Sequence, residues 1–309
     1  MASRISDLFV MMPHKDLKIG GQAVIEGIMV RSPHTMTVAV RRPTGEIVMR
    51  ADDLTLLSDR WPFLKLPFFR GTVTLFSTLF LGIRALNYSA QQALDEEEGE
   101  IGGWTMGLTM AAAFGLAIVL FLLLPLWLTH LLQGPFGWVR GQVGFNLVDG
   151  VFRLAVFLAY LGAISMAKDV RRIFEYHGAE HKTIHALEAG EELTVQNARR
   201  HSPLHPRCGT SLLLIVMVLS ILLFAQIPQA WPFWAKALSR VVLIPVLAGL
   251  SYEILKLGDR YRDSRFLGIL VAPGLFLQRI TTKEPSDDQI EVAIVAVREA
   301  LAREEGRAP

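Results

Sequence analysis

Four long apolar runs organise the chain. Residues 106–128 carry no charge, and Trp104 and Trp127 stand near the two ends. Residues 147–167 hold Asp149 and Arg153 at one end only. Residues 210–227 hold no charge, and residues 237–255 hold Arg240 near the start and Glu253 near the end. A helix needs about 20 apolar residues to cross a hydrocarbon layer of ~30 Å, so each run predicts a membrane-spanning helix. The tryptophans suit the interfacial belts. Two shorter stretches read differently. Residues 71–86 contain Arg84 and predict a helix on the membrane surface or packed against the bundle. Residues 266–277 are interrupted by Pro273 and Gly274 and predict an interfacial or re-entrant segment. The apolar run at 8–12 is too short for a signal-peptide core.

Between the runs the pattern changes. Residues 23–29, 35–41 and 46–50 are rich in Val, Ile and Thr, with Pro43-Thr44-Gly45 as a turn signal before the last. They predict a three-stranded antiparallel meander, whose apolar face needs a cover. Membrane-proximal helices could supply one. Near the C-terminus Ser286 and Gln289 have capping-box spacing, and Ile290, Ile294, Val297 and Leu301 follow at helical intervals. That helix should lay its stripe on the polar domain. The acidic run at 95–98 with Glu100 reads as a solvated linker.

The expected fold is therefore mainly α: a polytopic membrane helix bundle of about four spans, with a small N-terminal antiparallel β-meander and a cytosolic His-rich helix–loop insertion. Its parts are residues 1–103 (meander and membrane-associated helix), 104–167 (first helix pair), 168–209 (His-rich loop), 210–255 (second helix pair) and 256–309 (interfacial segment and amphipathic helix). Composition agrees, with 51% hydrophobic and 19% charged residues, against about a quarter charged in ordinary soluble domains. Cys208 is the single cysteine, which excludes an internal disulfide framework. A net charge of +2 gives no general signal for nucleic acid. Residues 1–103, 168–209 and 256–309 hold 11, seven and nine Lys and Arg, whereas loops 133–146 and 226–236 hold one each. The positive-inside rule then places both termini and the central loop in the cytosol.

Five of the eight histidines lie between His177 and His205, where an even spread would place fewer than one. His177, Glu180 and His181 stand three and four residues apart and share one side of a helix. His-x-x-Glu-His is the inverted-zincin spacing, with two imidazoles as metal ligands and the carboxylate as proton acceptor. His185 continues that face as a ligand, proton shuttle or hydrogen-bond partner. His201, His205 and Cys208 follow in a loop that Pro203 and Pro206 keep extended, with Arg207 beside the thiol. Neutral imidazole and thiolate suit zinc or iron. Taken singly, each group has a plainer reading: solvated juxtamembrane histidines, or an inert buried cysteine. Together they predict a divalent metal site, with zinc the expected ion. Glu253, at the cytosolic end of the fourth run, is a candidate third ligand. A carboxylate costs about 2.5–3.5 kcal/mol at mid-bilayer and less at the interface, so a snorkelling glutamate is the plainer reading. Glu26 interrupts an apolar strand and is a weaker candidate.

Residues 20–29 (Gly-Gly-Gln-Ala-Val-Ile-Glu-Gly-Ile-Met), 177–185, 201–209 and 281–285 (Thr-Thr-Lys-Glu-Pro) resemble the hallmarks of the YqhQ-like family. These are bacterial multi-pass membrane proteins of unassigned function, described as predicted metal-dependent enzymes. The resemblance implies a cell (inner) membrane location and brings no substrate with it. Two functions fit the sequence. One is a membrane-bound hydrolase with Glu180 as base, acting at the cytosolic face on a membrane protein or a lipid. The other is a non-enzymatic, metal-stabilised scaffold that docks a cytosolic partner. A transporter would need ionisable groups facing the bundle interior near mid-membrane, and the runs offer few.

Overall fold

The computed structural model describes residues 19–55, 61–94, 103–206, 208–228, 230–260 and 265–306. The acidic run at 95–100, the apolar run at 8–12 and Arg207 lie outside the described residues. The polar part begins with a four-stranded antiparallel sheet in the order β1 (Gly20–Val24), β2 (Gly27–Arg31), β3 (Thr35–Arg41) and β4 (Ile47–Asp53). The single strand expected at 23–29 is instead two. Val24 pairs with Gly27 across a tight turn, where Glu26 adopts φ 52°. A Cβ on Gly27 would lie 2.2 Å from the Ala39 carbonyl oxygen, so only glycine lets β2 approach β3 there.

Side chains alternate across the sheet, and both faces are covered. Ile28, Val30 and Ala39 pack on helices α5 (Lys168–Glu188) and α11 (Asp287–Glu305). Val24, Met29, Val38 and Val40 pack on Leu81 and Ala85 of α1 (Phe69–Gln92). The C-terminal helix starts at the expected capping box, Ser286 with Gln289. It is tied down by Thr37 Oγ1 donating to the Ala296 carbonyl at 2.9 Å and by Glu304 accepting from Ser32 Oγ and the His34 N–H. N-terminal sheet, central helix and C-terminal helix thus share one core drawn from three distant segments.

The remaining helices form the apolar part. Among the described residues two are long and apolar enough to cross a membrane: the run Gly103–Leu132 and α4 (Gln142–Ile164). The first comprises α2 (Gly103–Ile118), a five-residue π-helical stretch (Val119–Leu123) and α3 (Leu124–Leu132). Pro125 at the start of α3 has no N–H to give the preceding turn. A third candidate is a pair bent by 44°, α8 (Phe233–Val242) with Ile244–Leu257 of α9 (Ile244–Arg260). Helix α7 (Thr210–Phe224) is apolar but only 15 residues long. The short apolar stretch at 71–86 is part of α1, which packs on α9, and a Cβ on Gly71 would meet Tyr252 Cβ at 2.7 Å and Gly249 Cα at 3.0 Å. Helix α10 (Arg265–Thr281) runs through Pro273 without the expected break.

Charges expected only at helix ends meet inside this bundle. Asp149 of α4 accepts from Arg153 and, through both oxygens at 3.0 Å, from Arg240 of α8. Lys236 lies 4.6 Å from the centre of the Phe145 ring. All four charged groups are buried. Residues 91 positions apart join here because Arg153 follows Asp149 by one helical turn and α8 returns to the same level.

Candidate metal centre

Helix α5 carries the first histidine group along one side, at 177, 181 and 185. The segment 201–206 and Cys208 lie across this side. Tucked between, His205 brings its ring centre to 5.6 Å from that of His181 and 4.4 Å from that of His185. His177 and His181 lie 4.4 Å apart, and His201 stacks on His185 at 5.9 Å and 14°. The five imidazoles from two separate stretches therefore form one continuous row.

Backbone carbonyls set the tautomers. His177 Nδ1 lies 2.8 Å from the Thr281 oxygen and His181 Nδ1 lies 2.5 Å from the Pro203 oxygen. A carbonyl only accepts, so both Nδ1 atoms carry the proton and each neutral ring keeps its lone pair at Nε2. His177 Nε2 faces Cys208 Sγ at 3.2 Å. His181 Nε2 is buried without a hydrogen-bond partner, 3.6 Å from Glu180 Oε2. A histidine whose other nitrogen is held by a carbonyl is the arrangement that orients metal ligands, and a buried polar atom left without a partner costs about 1–3 kcal/mol. The donor set fits a divalent ion.

Among the described residues there are two groups, each with its ligand atoms within 4.8 Å of one another: His177, His181 and Cys208, and His185, Glu188 and His205. Glu188 went unpredicted, although it stands three residues after His185 and shares its face. His205 Nε2 lies 3.5 Å from Glu188 Oε2, while His185 donates through Nε2 to the Leu204 carbonyl at 3.0 Å. His201 sits at the rim, paired with Glu191 at 3.0 Å, and belongs to neither group. Cys208 Sγ also receives the Thr210 N–H at 3.4 Å.

Glu180 is 6% exposed. Burial pushes its carboxyl up, against the pull of His177 and a hydrogen bond from the Gly21 N–H. A larger residue at Gly21 would displace the glutamate, since a Cβ there would lie 2.6 Å from Glu180 Cγ. Gly178 is more tightly constrained, because its would-be Cβ would lie 2.0 Å from a backbone atom, the Lys283 carbonyl oxygen. The glycines of the first and second motifs thus admit strand β1 and the 281–285 segment to the histidine helix. His205 is held from α10, whose Gln278 accepts the His205 N–H and donates to its carbonyl, both at 2.9 Å.

Two expected ligands lie elsewhere. Glu253 is engaged by the Arg70 guanidinium at 2.7 and 2.5 Å and by the Phe68 N–H. Glu26 stands in the β1–β2 turn, not within a strand, and pairs with Arg172 and the Tyr176 hydroxyl. Each carboxylate has found a nearer cation than the cluster, and neither joins a ligand group.

Residues 66–303 match the family described as "Protein of unknown function (DUF1385)". The chain is also 35% identical, over 302 aligned positions covering 92% of each protein, to "Uncharacterized protein YqhQ" of Bacillus subtilis. The chain belongs to this family. No solved structure matches it.

Proposed function

We propose that the protein is a membrane-bound metal-dependent hydrolase working at the cytosolic face. The observation that carries this reading is the buried, partnerless His181 Nε2 lying 3.6 Å from the buried Glu180 carboxylate. His177, His181 and Cys208 would hold the ion, with zinc favoured by the imidazole–thiolate set. Bound there, zinc supplies a Lewis acid and brings the pKa of a coordinated water to about 7. Glu180 stands where it can take a proton beside the ion and return it to the leaving group. The Gly21 N–H and the packed β1 backbone keep that carboxylate from turning away. The substrate class that suits the setting is a membrane protein segment or a lipid.

The expected topology is four spans in the cell membrane with both termini cytosolic. It rests on the two long apolar helices, the bent pair, the shorter α7 and the distribution of basic residues. It puts the histidine row beneath the inner leaflet.

Metal content of the purified full-length protein tests the reading. Stoichiometric zinc is expected in the wild type and in Glu180→Gln, with loss of most of it in His181→Ala. Turnover of peptide or phosphodiester probes should survive in none of these but the wild type. A second reading, a metal-stabilised scaffold, is favoured by the depth of the ligands, since His181, His205 and Cys208 are at most 8% exposed. X-ray absorption separates the two: three protein ligands and a water support the hydrolase, and four protein ligands support the scaffold.

A further inference from the structure

A second site lies away from the histidines, between the sheet edge and α1. A cavity of about 450 Å³ is lined by Arg31, Lys65, Arg70 and Arg84, with Asp53 the one acid among the described lining residues, and by the hydroxyl-bearing Thr55, Thr74 and Ser77. The cations are not equally balanced. Arg70 is matched by Glu253 at 2.5 Å, and Arg84 has Asp52 at 3.6 Å. Among the described residues Arg31 has hydroxyls only, donating to Thr78 Oγ1 at 2.9 Å and to Ser77 Oγ at 3.5 Å. A half-buried guanidinium held by two neutral oxygens retains N–H donors and an uncompensated charge. Its fork geometry matches a phosphate.

What borders the cavity indicates where the phosphate comes from. The short 3₁₀ turn Pro62–Lys65 and the start of α1 expose a run of aromatic rings. Trp61 and Phe63, Phe63 and Phe69, and Phe68 and Phe69 meet edge to face with centres 5.7–6.3 Å apart. Trp61, Phe63, Leu66, Phe69 and Phe80 are each about half exposed. Phe80 and Leu64 also line the cavity, so the apolar rim and the cationic floor are continuous. An aqueous anion needs no such rim. Aromatic side chains exposed beside clustered Arg and Lys suit the level of phospholipid headgroups, where acyl chains cover the rings and the basic groups meet the phosphate.

We propose that this cavity binds the headgroup phosphate of an anionic glycerophospholipid, with Arg31 as the principal contact and the Trp61–Phe69 rim against its acyl chains. The site is independent of the metal centre and of whether that centre catalyses anything. Native mass spectrometry of the full-length protein in a neutral detergent, titrated with phosphatidylglycerol or phosphatidylcholine, tests it. Wild type is expected to retain phosphatidylglycerol in preference to phosphatidylcholine. Arg31→Gln should weaken retention by about tenfold or more, the worth of one charge-assisted hydrogen bond. Because Arg31 also anchors β2 to α1, Thr74→Glu provides a second variant that puts a carboxylate in the cavity wall and leaves those anchors in place. It should weaken retention similarly while the thermal midpoint stays near wild type. Equal retention of the two lipids, or no effect of Thr74→Glu, overturns the proposal. Displacement of the lipid by millimolar inorganic phosphate would assign the cavity to free phosphate and overturn the lipid assignment.

Discussion

At the scale of single residues, glycine and carbonyl positions decide how the histidine row is held. Gly178 faces the Lys283 carbonyl so closely that an added Cβ would lie 2.0 Å from its oxygen, and backbone cannot step aside as a side-chain tip can. Gly178→Ala is therefore expected to destabilise the fold by roughly 1–3 kcal/mol, read as a lower thermal midpoint together with reduced metal content. At Gly21 the obstacle is Glu180 itself. On the proposed hydrolase reading, Gly21→Ala should leave metal content unchanged and lower turnover, because the carboxylate is displaced while His177, His181 and Cys208 are untouched. Metal analysis beside a rate measurement checks this, and equal loss of both would show a general collapse. The His-x-x-Glu-His spacing was legible in the sequence because helical periodicity alone puts 177, 180 and 181 on one side. That Gly20-Gly21, some 160 residues earlier, serves the same glutamate was not, since no local periodicity relates them. Glu188 carried the same three-residue signal as Glu180 but lacked a motif to draw notice.

At the scale of elements, the apolar helices are joined by a charge cluster that sequence patterning understated. Asp149 is the shared counter-ion of Arg153 and Arg240 in a buried setting that also holds Lys236. Removing the one acid leaves cations without a counter-charge, a change that costs about 3–5 kcal/mol for buried pairs. Asp149→Ala should therefore unfold the bundle at markedly lower temperature, whereas the triple variant Asp149→Leu, Arg153→Leu and Arg240→Met, which also removes both cations that the acid holds, should recover much of that loss. Thermal unfolding in detergent distinguishes the two. The C-terminal helix offers a milder case. Its capping box joins Ser286 and Gln289 reciprocally, and Ser286→Ala is expected to cost about 1 kcal/mol. Both capping residues and the apolar stripe were readable from spacing. The β1–β2 hairpin was not, because Ile25-Glu26 is an unusual turn sequence and an unbroken run of Val and Ile reads as one strand.

For the whole molecule, the proposed four-span topology predicts that a cysteine introduced by Gly137→Cys reacts with an impermeant maleimide on intact cells, while one introduced by Gly190→Cys reacts only after lysis. The opposite pattern would invert the topology and remove the cytosolic assignment of the metal centre. Some properties are set by the sequence alone. The apolar runs, the helical face bearing His177, Glu180 and His181, and the bias of basic residues arise from local composition and periodicity, which need no partner to be expressed. Tertiary structure alone decided the rest. Whether two histidine stretches meet, which carboxylates reach them, and which cations claim Glu26 and Glu253 all depend on distances between segments far apart in the chain. The polar domain shows the reason most clearly: its core is assembled from the N-terminal sheet, the central helix and the C-terminal helix. No contiguous stretch of sequence contains that contact information, because burial is a property of the packed chain and not of any one element.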